Sequence, residues 1–248
     1  MGKVLFAQAG QTRALDHACQ LLKSLNIPFA REYNANVTHL LLPVPSFESD
    51  GRVKGGGILE HILADLPENV TVIGGNLTHP ALQEYKTIDL LQNEDYLAEN
   101  AAITAHCALA IAMNALPCTL NSCPVLVIGW GRIGKCLARL LRQLDARVTV
   151  ASGKESHRAT LRSMGYSSVP TSKIDPTQYR VIFNTAPHPV LPECAGPALK
   201  IDLASSPGIT GDGVIWARGL PNKNAPESSG ALIANAVASY LKETEVTL

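Results

Sequence analysis

The chain has 248 residues, of which 46% are hydrophobic and 17% charged, and its 21 basic and 21 acidic side chains give no formal net charge at pH 7. The length allows one large or two small domains, and the hydrophobic content excludes intrinsic disorder. A neutral balance argues against nucleic-acid binding, because such proteins usually present a basic surface to the phosphates. Composition therefore favours a globular protein and does not exclude the binding of small anionic ligands.

Neither export nor membrane insertion is expected. Residues 1–6 lead into a strand pattern without a charged leader or an apolar signal core. The longest apolar stretch, 101–120, is interrupted by polar residues and Pro117, which argues against a membrane span. The six cysteines form no C-x-x-C pair and the histidines no H-x-x-x-H pair. We therefore expect a cytoplasmic protein with reduced cysteines and no metal site.

Short apolar runs alternate with helical patterns along the first half, which predicts a parallel sheet covered by helices. The predicted strands and helices are, in chain order, 4–7, 12–25, 39–42, 57–66 and 70–73. A long helix is then predicted from Glu94 or Asp95 to about Leu116, where Pro117 ends it. Such a helix, leading into a new strand, is expected to join two domains.

The second half opens with Val125-Leu126-Val127-Ile128, which is typical of a strand buried on both faces. The following helix carries apolar residues at helical spacing from Ile133 to Leu144. Further strands are predicted at 147–151, 181–184, 200–203 and 214–216. A last helix, at about 228–241, is apolar on most of one side, and we expect it to cross back onto the first domain.

The order of elements predicts an α/β fold of two Rossmann-like domains with parallel sheets, joined by the long helix. Residues 1–98 would form a substrate domain, completed by the C-terminal helix 227–248. Residues 99–226 would form an NADP-binding, dinucleotide-type domain.

The sharpest local signal is Gly129-Trp130-Gly131-Arg132-Ile133-Gly134, between a buried-strand pattern and an amphipathic helix. In such a turn the first glycine permits the bend, the second lets the backbone approach a diphosphate, and the third lets the helix pack on the strand. The diphosphate then lies on backbone N–H groups at the positive end of the helix dipole. We assign all six residues to a cofactor site; the alternative is a glycine-rich turn without a ligand.

The end of the second strand in this half favours NADP over NAD. NAD-binding units normally place an acidic residue about 20 residues downstream, where it binds the ribose hydroxyls. This chain has Ser152-Gly153-Lys154 there, followed by Arg158. These residues offer hydrogen bonds and positive charge to a 2′-phosphate, which a carboxylate would repel. Alternatively, Lys154 and Arg158 belong to a solvated helix start.

Two further loops follow predicted strands at the edge where ligands bind in open α/β sheets. We assign Asn184-Thr185-Ala186-Pro187 and Ala204 to the surroundings of the nicotinamide and its ribose, although such loops are also ordinary turn material. Asp202, on the buried strand before Ala204, has an ambiguous role and is left out of the site. The predicted substrate-binding residues of the second loop are Ser205, Pro207 and Gly208.

The second half resembles the family of the A-type subunit of dipicolinate synthase, found in spore-forming bacteria. The resemblance covers about 130 residues, and residues 1–99 resemble the family only loosely, chiefly at Leu41-Leu42-Pro43-Val44. The stretches that carry it are 100–105 with the glycine motif, then 201–208, then Gly219-Leu220-Pro221 with Ala225-Pro226 and Gly230.

The resemblance implies a dehydrogenase that oxidises a dihydrodipicolinate-type ring with a nicotinamide cofactor. It also implies a flavoprotein-like second subunit and the mother cell of a sporulating bacterium, and we expect a homo-oligomer. Hydride would leave a ring carbon while a base removes a neighbouring proton. The protein would align the substrate, remove the proton and neutralise two carboxylates.

Two regions depart from the family pattern. On the long helix, Ile103-Thr104-Ala105-His106-Cys107 stands where the family has Pro-Thr-x-Glu-Gly, so His106 replaces a carboxylate. An imidazole can accept a proton near neutral pH, and we assign His106 and Thr104 to the catalytic site; the alternative is a packed or solvated bystander. In the third stretch Arg218 replaces a proline and Asn222-Lys223 replace small residues, so Arg218 or Lys223 contacts an anionic substrate or faces solvent.

The substrate carboxylates also need polar groups from the first domain. Arg13, Ser46 and Asn76 each follow the carboxyl end of a predicted strand and are assigned to substrate binding, together with Pro221. The loop that carries Arg52 and Lys54 is rich in glycine; it would close over the substrate or is simply mobile and exposed.

The favoured interpretation is an NADP-dependent oxidoreductase acting on a cyclic dicarboxylate. One alternative is a two-domain dehydrogenase of a 2-hydroxy acid or a shikimate-like compound. Such enzymes usually have an Arg with a Glu-His pair, or a Lys-Asp pair, and neither set is convincingly placed in this sequence. Another is a non-catalytic NADP-binding subunit, in which His106 marks the loss of chemistry.

Overall fold

In the computed structural model, which describes residues 4–194 and 196–244, the chain divides into two compact units. One comprises Met1–Asn100 and Pro221–Leu248, and the other Ala101–Leu220. Residues 245–248 of the predicted segment 227–248 lie outside the described residues. The predicted α/β class is confirmed, because each unit is built on a parallel sheet.

The first unit has four strands in the spatial order β1-β2-β3-β4. Strand β4 is absent from the sequence prediction because it is a partly exposed edge strand whose only aliphatic residue is Ile88. The elements are β1 (Phe6–Gln8), α1 (Arg13–Ser24), β2 (His39–Leu41), α2 (Leu59–Ala64), β3 (Thr71–Gly74) and β4 (Lys86–Asp89).

Helix α3 (Glu94–Ala115) connects the two units, and it ends two residues before Pro117, as the missing N–H of proline requires.

The second unit has six parallel strands in the order β10-β9-β8-β5-β6-β7. Numbered from β5 as the first strand, the order read from β7 to β10 is 3-2-1-4-5-6, that of a dinucleotide-binding fold. The short polar edge strand β7 is not predicted from the sequence. The elements are β5 (Pro124–Ile128), α4 (Arg132–Gln143), β6 (Arg147–Ala151), α5 (Glu155–Ser163), β7 (Ser167–Val169), β8 (Val181–Asn184), β9 (Leu199–Asp202) and β10 (Val214–Trp216).

The core of the second sheet consists of aliphatic residues that are fully buried, including Leu126, Ile128 and Ile182. Their strands are covered on both faces, which explains why continuous apolar runs predicted them. Within the described residues 4–194 and 196–244, no helix is long and apolar enough to span a bilayer.

Two helices close the chain. The short α6 (Leu220–Asn224) is not predicted from the sequence, and the C-terminal α7 (Pro226–Glu243) packs against α1. A Cβ at Gly230 would lie 2.5 Å from the Ala14 carbonyl oxygen, so the glycine allows the close approach of α7 and α1.

Candidate functional site

The centre of the second sheet is its topological switch point. Neighbouring strands β5 and β8 continue toward opposite sides of the sheet, and ligands of such sheets bind in the crevice outside the carboxyl ends at this point. The loops that follow β5 and β8 therefore border the candidate site.

The three glycines of the turn after β5 have different surroundings. Gly129 has φ +101°, and a Cβ there would meet the hydroxyl of Thr185; a Cβ at Gly134 would meet the carbonyl oxygen of Gly129. A Cβ at Gly131, in contrast, would have no described atom within 4 Å. The first and third glycines are thus required by packing, whereas the second borders open space.

The start of α4 adjoins that open space. Gly131 is the N-cap residue of this helix, and glycine has no side chain with which to cap the first backbone N–H groups. Such a helix start carries partial positive charge. Open space beside uncapped amides fits the diphosphate of a dinucleotide.

Trp130 is held in place beside this turn. Its indole is 9% exposed and packs edge-on against Tyr166, with 5.9 Å between ring centroids, and the Lys135 ammonium lies 6.0 Å from the Trp130 ring. The side chain therefore supports the turn, and any contact with a cofactor is left to the backbone of Trp130.

The predicted residues after β6 are largely tied to the start of α5. The Ser152 hydroxyl lies 3.2 Å from His157 Nδ1, and the Arg158 guanidinium donates to the Ser152 carbonyl and pairs with Glu155. Hydrogen bonds from Arg162 and Arg158 lower the pKa of Glu155. Lys154 and Gly153 are exposed. The segment is net positive, because the only carboxylate among these side chains is matched by three cations.

The loops after β8 and β9 are joined by two buried side chains, Asn184 and Asp202. The Asn184 amide donates to the Ala186 carbonyl and to Asp202, at 3.1 and 2.9 Å, and its oxygen accepts from the Ala186 N–H at 3.0 Å. Both ends of this amide are thus occupied by the protein. The Asn184 side chain therefore has a structural role, and the predicted cofactor contact of this loop is left to the backbone of 184–187 and to the Thr185 side chain.

Asp202 organises the second loop. Its fully buried carboxylate accepts from the Asn184 amide and from the backbone N–H groups of Ala204, Gly208 and Ile209, at 2.7–3.0 Å. A Cβ at Gly208 would lie 2.5 Å from the Asn184 amide nitrogen. The signal that reveals this role in the sequence is an acid at the last position of a buried strand, followed by a loop with glycine.

The two catalytic candidates lie on α3 but on different faces. Thr104 is 8% exposed and His106 is exposed, because positions two apart on a helix do not face each other. The helix therefore does not bring the hydroxyl and the imidazole together.

The substrate candidates of the first unit differ in their accessibility. Ser46 is fully buried; its hydroxyl donates to the Pro43 carbonyl at 2.8 Å and accepts from the Gly75 N–H at 2.9 Å. This hydroxyl joins the loops after β2 and β3, so the predicted substrate contact is replaced by a structural one. Arg13 and Asn76 are exposed.

The glycine-rich loop near Arg52 is docked rather than open. The Lys54 carbonyl accepts from the Gln11 N–H at 3.0 Å, and the Lys54 N–H donates to the Ser46 carbonyl at 2.9 Å. Arg52 pairs with Asp50 at 2.7 Å. These contacts argue against the expected closure over a substrate.

The fold and the glycine turn define a dehydrogenase-like α/β architecture. D-lactate dehydrogenase from Escherichia coli superposes with a TM-score of 0.59 at 14% identity, over 98% of each chain. The A-type subunit of dipicolinate synthase from Bacillus halodurans superposes with a TM-score of 0.82 at 21% identity, over 97% of this chain and 98% of that one.

The sequence comparison points to the same kind of relative. The A-type subunit of dipicolinate synthase from Bacillus subtilis strain 168 is 28% identical over 175 residues. The match spans 64% of this chain and 59% of the length of that relative. No protein-family model matches the chain. The similarity to dipicolinate synthase that the sequence motifs indicated is confirmed.

Proposed function

We propose that the chain is an NADP-dependent dehydrogenase that oxidises a dihydrodipicolinate-type cyclic dicarboxylate to dipicolinate. The observation that carries the proposal is the turn at Gly131, with its open space beside an uncapped helix start. The similarity to the A-type subunit of dipicolinate synthase supports the substrate class.

In this proposal the backbone of 131–134 binds the diphosphate of the cofactor. The preference for NADP is supported by the net positive charge of the segment after β6, where the carboxylate of Glu155 is paired with Arg158 and Arg162. Exposed Lys154 is the residue assigned to the 2′-phosphate. The loop surfaces assigned to the nicotinamide half are Thr185, Ala186, Pro187 and Ala204.

When bound, the nicotinamide supplies the hydride acceptor. The substrate ring loses one hydrogen as hydride and a neighbouring one as a proton, and the remaining electron pair forms the new ring double bond. His106 is the proposed proton acceptor, because an imidazole can take up a proton near neutral pH. Thr104 is the second catalytic candidate. The residues assigned to the substrate carboxylates are Arg13, Asn76, Ser205, Pro207, Gly208 and Pro221.

A second, flavoprotein-like subunit and a homo-oligomeric state belong to the same proposal. The relative is named as one lettered subunit of a synthase, which supports the existence of a partner. We place the protein in the cytoplasm of the mother cell of a sporulating bacterium.

The cofactor assignment is tested by calorimetric titration of the protein with NADPH and NADH. NADPH is expected to bind at least about tenfold more tightly, a difference of about 1.4 kcal/mol. Lys154→Gln should reduce this preference, whereas the matched control Lys135→Gln should keep it. NADH binding tenfold tighter than NADPH would contradict the assignment.

The reaction is tested by turnover of dihydrodipicolinate, with the protein alone and with the flavoprotein partner. NADPH formation that falls at least about tenfold in His106→Ala would support the proposed base, since general bases typically contribute about 100-fold or more. Unchanged turnover in this variant would remove His106 from the mechanism. NADPH binding without turnover in either mixture would favour a non-catalytic role.

A further inference from the structure

Trp216 forms a rigid, half-exposed platform at the carboxyl end of β10. The side chain is 49% exposed, yet its indole N–H donates to the Ala204 carbonyl at 3.1 Å. The neighbouring Ala217 is buried, and its backbone N–H donates to the Asp202 carbonyl at 2.8 Å. A large indole that is both exposed and fixed offers a flat surface next to the loop after β9.

Arg218 lies on this platform. Its guanidinium carbon is 5.4 Å from the centre of the Trp216 ring, within the range of a cation–π contact. Arg218 is exposed and forms no ion pair with any carboxylate in residues 4–194 and 196–244. The cation is therefore oriented by the indole and is not neutralised by a carboxylate of the described residues.

A continuous series of contacts connects this cation to the switch point. Asn184 binds Asp202, Asp202 binds the Ala204 N–H, and the Ala204 carbonyl binds Trp216. Strands β8, β9 and β10 form the second half of the sheet, which in this fold holds the second mononucleotide of a dinucleotide. Arg218 thus lies at the same carboxyl edge as the loops assigned to the nicotinamide.

We infer that Arg218, oriented by Trp216, binds a carboxylate of the substrate. A planar guanidinium can bind a carboxylate through two parallel hydrogen bonds, and stacking reduces the freedom that is lost when these bonds form. The inference rests on the proposed function, because it assumes a dicarboxylate beside the nicotinamide.

Calorimetric titration of the NADP-saturated protein tests this assignment, with dipicolinate, its one-carboxylate analogue picolinate, and its neutral diamide as probes. Arg218→Gln should weaken dipicolinate binding at least about tenfold, and Arg218→Lys should retain part of the affinity. Binding of the neutral diamide and of NADPH should stay within about twofold. Trp216→Leu should weaken dipicolinate less than Arg218→Gln, since it removes the platform and leaves the charge.

Arg139→Gln, at an exposed arginine of α4, is the matched control and should change neither dipicolinate nor NADPH binding. If Arg218→Gln binds dipicolinate with an affinity within about twofold of that of the unmodified protein, the inference about Arg218 is overturned and the proposed function is not. Failure of the unmodified protein to bind dipicolinate, while NADPH still binds, would overturn the proposed substrate and this inference together.

Discussion

In each unit the first strand of the parallel sheet is followed by a glycine-containing turn and a helix, but the space at that turn is used in opposite ways. Helices α1 and α4 both have 12 residues. In the first unit a Cβ at Gly10 would lie 2.5 Å from the Lys54 carbonyl oxygen, so the docked loop fills the space beside the turn. In the second unit the space at Gly131 is open.

The first turns of helices α1 and α4 also differ, because only α1 is capped by a side chain. The Thr12 hydroxyl accepts from the Leu15 N–H at 3.1 Å and so caps α1, whereas α4 begins at a glycine. One turn is therefore filled by the protein itself, and the other leaves the first amides of its helix without a side-chain cap, which is the arrangement in which helix starts bind anions. A strand, a glycine-containing turn and a helix are therefore not enough for a nucleotide site; the side chain at the helix cap and the loop next to the turn also matter.

The largest expected effect is at the open turn. Gly131→Val should weaken NADPH binding at least about thousandfold, or about 4 kcal/mol, because its side chain would fill the space assigned to the diphosphate. Since Gly131 has φ −83°, valine should be tolerated without unfolding. Gly57→Val, at a second glycine with no atom near its Cβ position, is the control for calorimetry and circular dichroism. Unchanged NADPH affinity in Gly131→Val would contradict the assignment.

The next largest effect concerns the buried carboxylate that supports the open site. Asp202→Ala should destabilise the second unit by about 3 kcal/mol or more, because three backbone N–H groups and the Asn184 amide lose their acceptor. Thermal unfolding measures this loss. Asp175→Ala, which removes an exposed carboxylate bonded to Thr177, should cost less than about 1 kcal/mol. Equal losses in the two variants would show that Asp202 has no special structural role.

The first unit should lose stability in acid because of the buried imidazole of His39. Burial and nearby Lys86 lower the pKa of this imidazole to about 4, and it stacks on Phe6 with 4.8 Å between ring centroids. The unfolded chain binds a proton at this imidazole below about pH 6.5, whereas the folded chain binds it only near pH 4. The free energy of unfolding that is present above pH 6.5 is therefore lost as the pH falls toward 4.

The expected loss from this imidazole is about 2 kcal/mol between neutral pH and pH 5, measured by urea unfolding. His39→Phe should remove this part of the pH dependence, while the same substitution at exposed His61 should leave it unchanged. An identical acid slope in both variants would exclude His39 as the cause.

The smallest effect is at the closed turn. Thr12→Ala removes the cap of α1 and should cost about 1 kcal/mol, seen as faster amide exchange in the first turn of that helix. NADPH affinity should not change, because this helix start is not assigned to the cofactor. Ser24→Ala, at the exposed end of α1, is the control. A loss of NADPH binding in Thr12→Ala would mean that both turns contribute to the nucleotide site.

Much of the second unit is predictable from local sequence patterns. The observed bounds of β6, β8 and β10 agree with the prediction, because short runs between polar or glycine and proline residues mark strands. The turn at 129–134 is predictable for the same local reason. Edge strands β4 and β7 escape prediction, since few of their side chains are buried and their alternation is weak.

The roles of several site candidates depend on contacts between distant parts of the chain. Ser46 follows a strand and Asn184 ends one, as expected, but partners at Gly75 and Asp202 occupy their polar groups. Docking of the loop around Lys54 on the first turn is likewise a long-range contact. No local periodicity encodes such pairs, so sequence patterns locate the edge of a sheet better than they identify the side chains that face a ligand.

The placement of the two tryptophans has a practical consequence. Trp130 packs beside the glycine turn and Trp216 beside the loop after β9, and the chain has no other tryptophan. Indole emission overlaps the absorption of reduced nicotinamide, so energy transfer would report an occupied site without any added label. A collisional quencher such as acrylamide would reach the half-exposed indole of Trp216 far more readily than the buried indole of Trp130. Quenching would therefore separate the fluorescence of the two side chains.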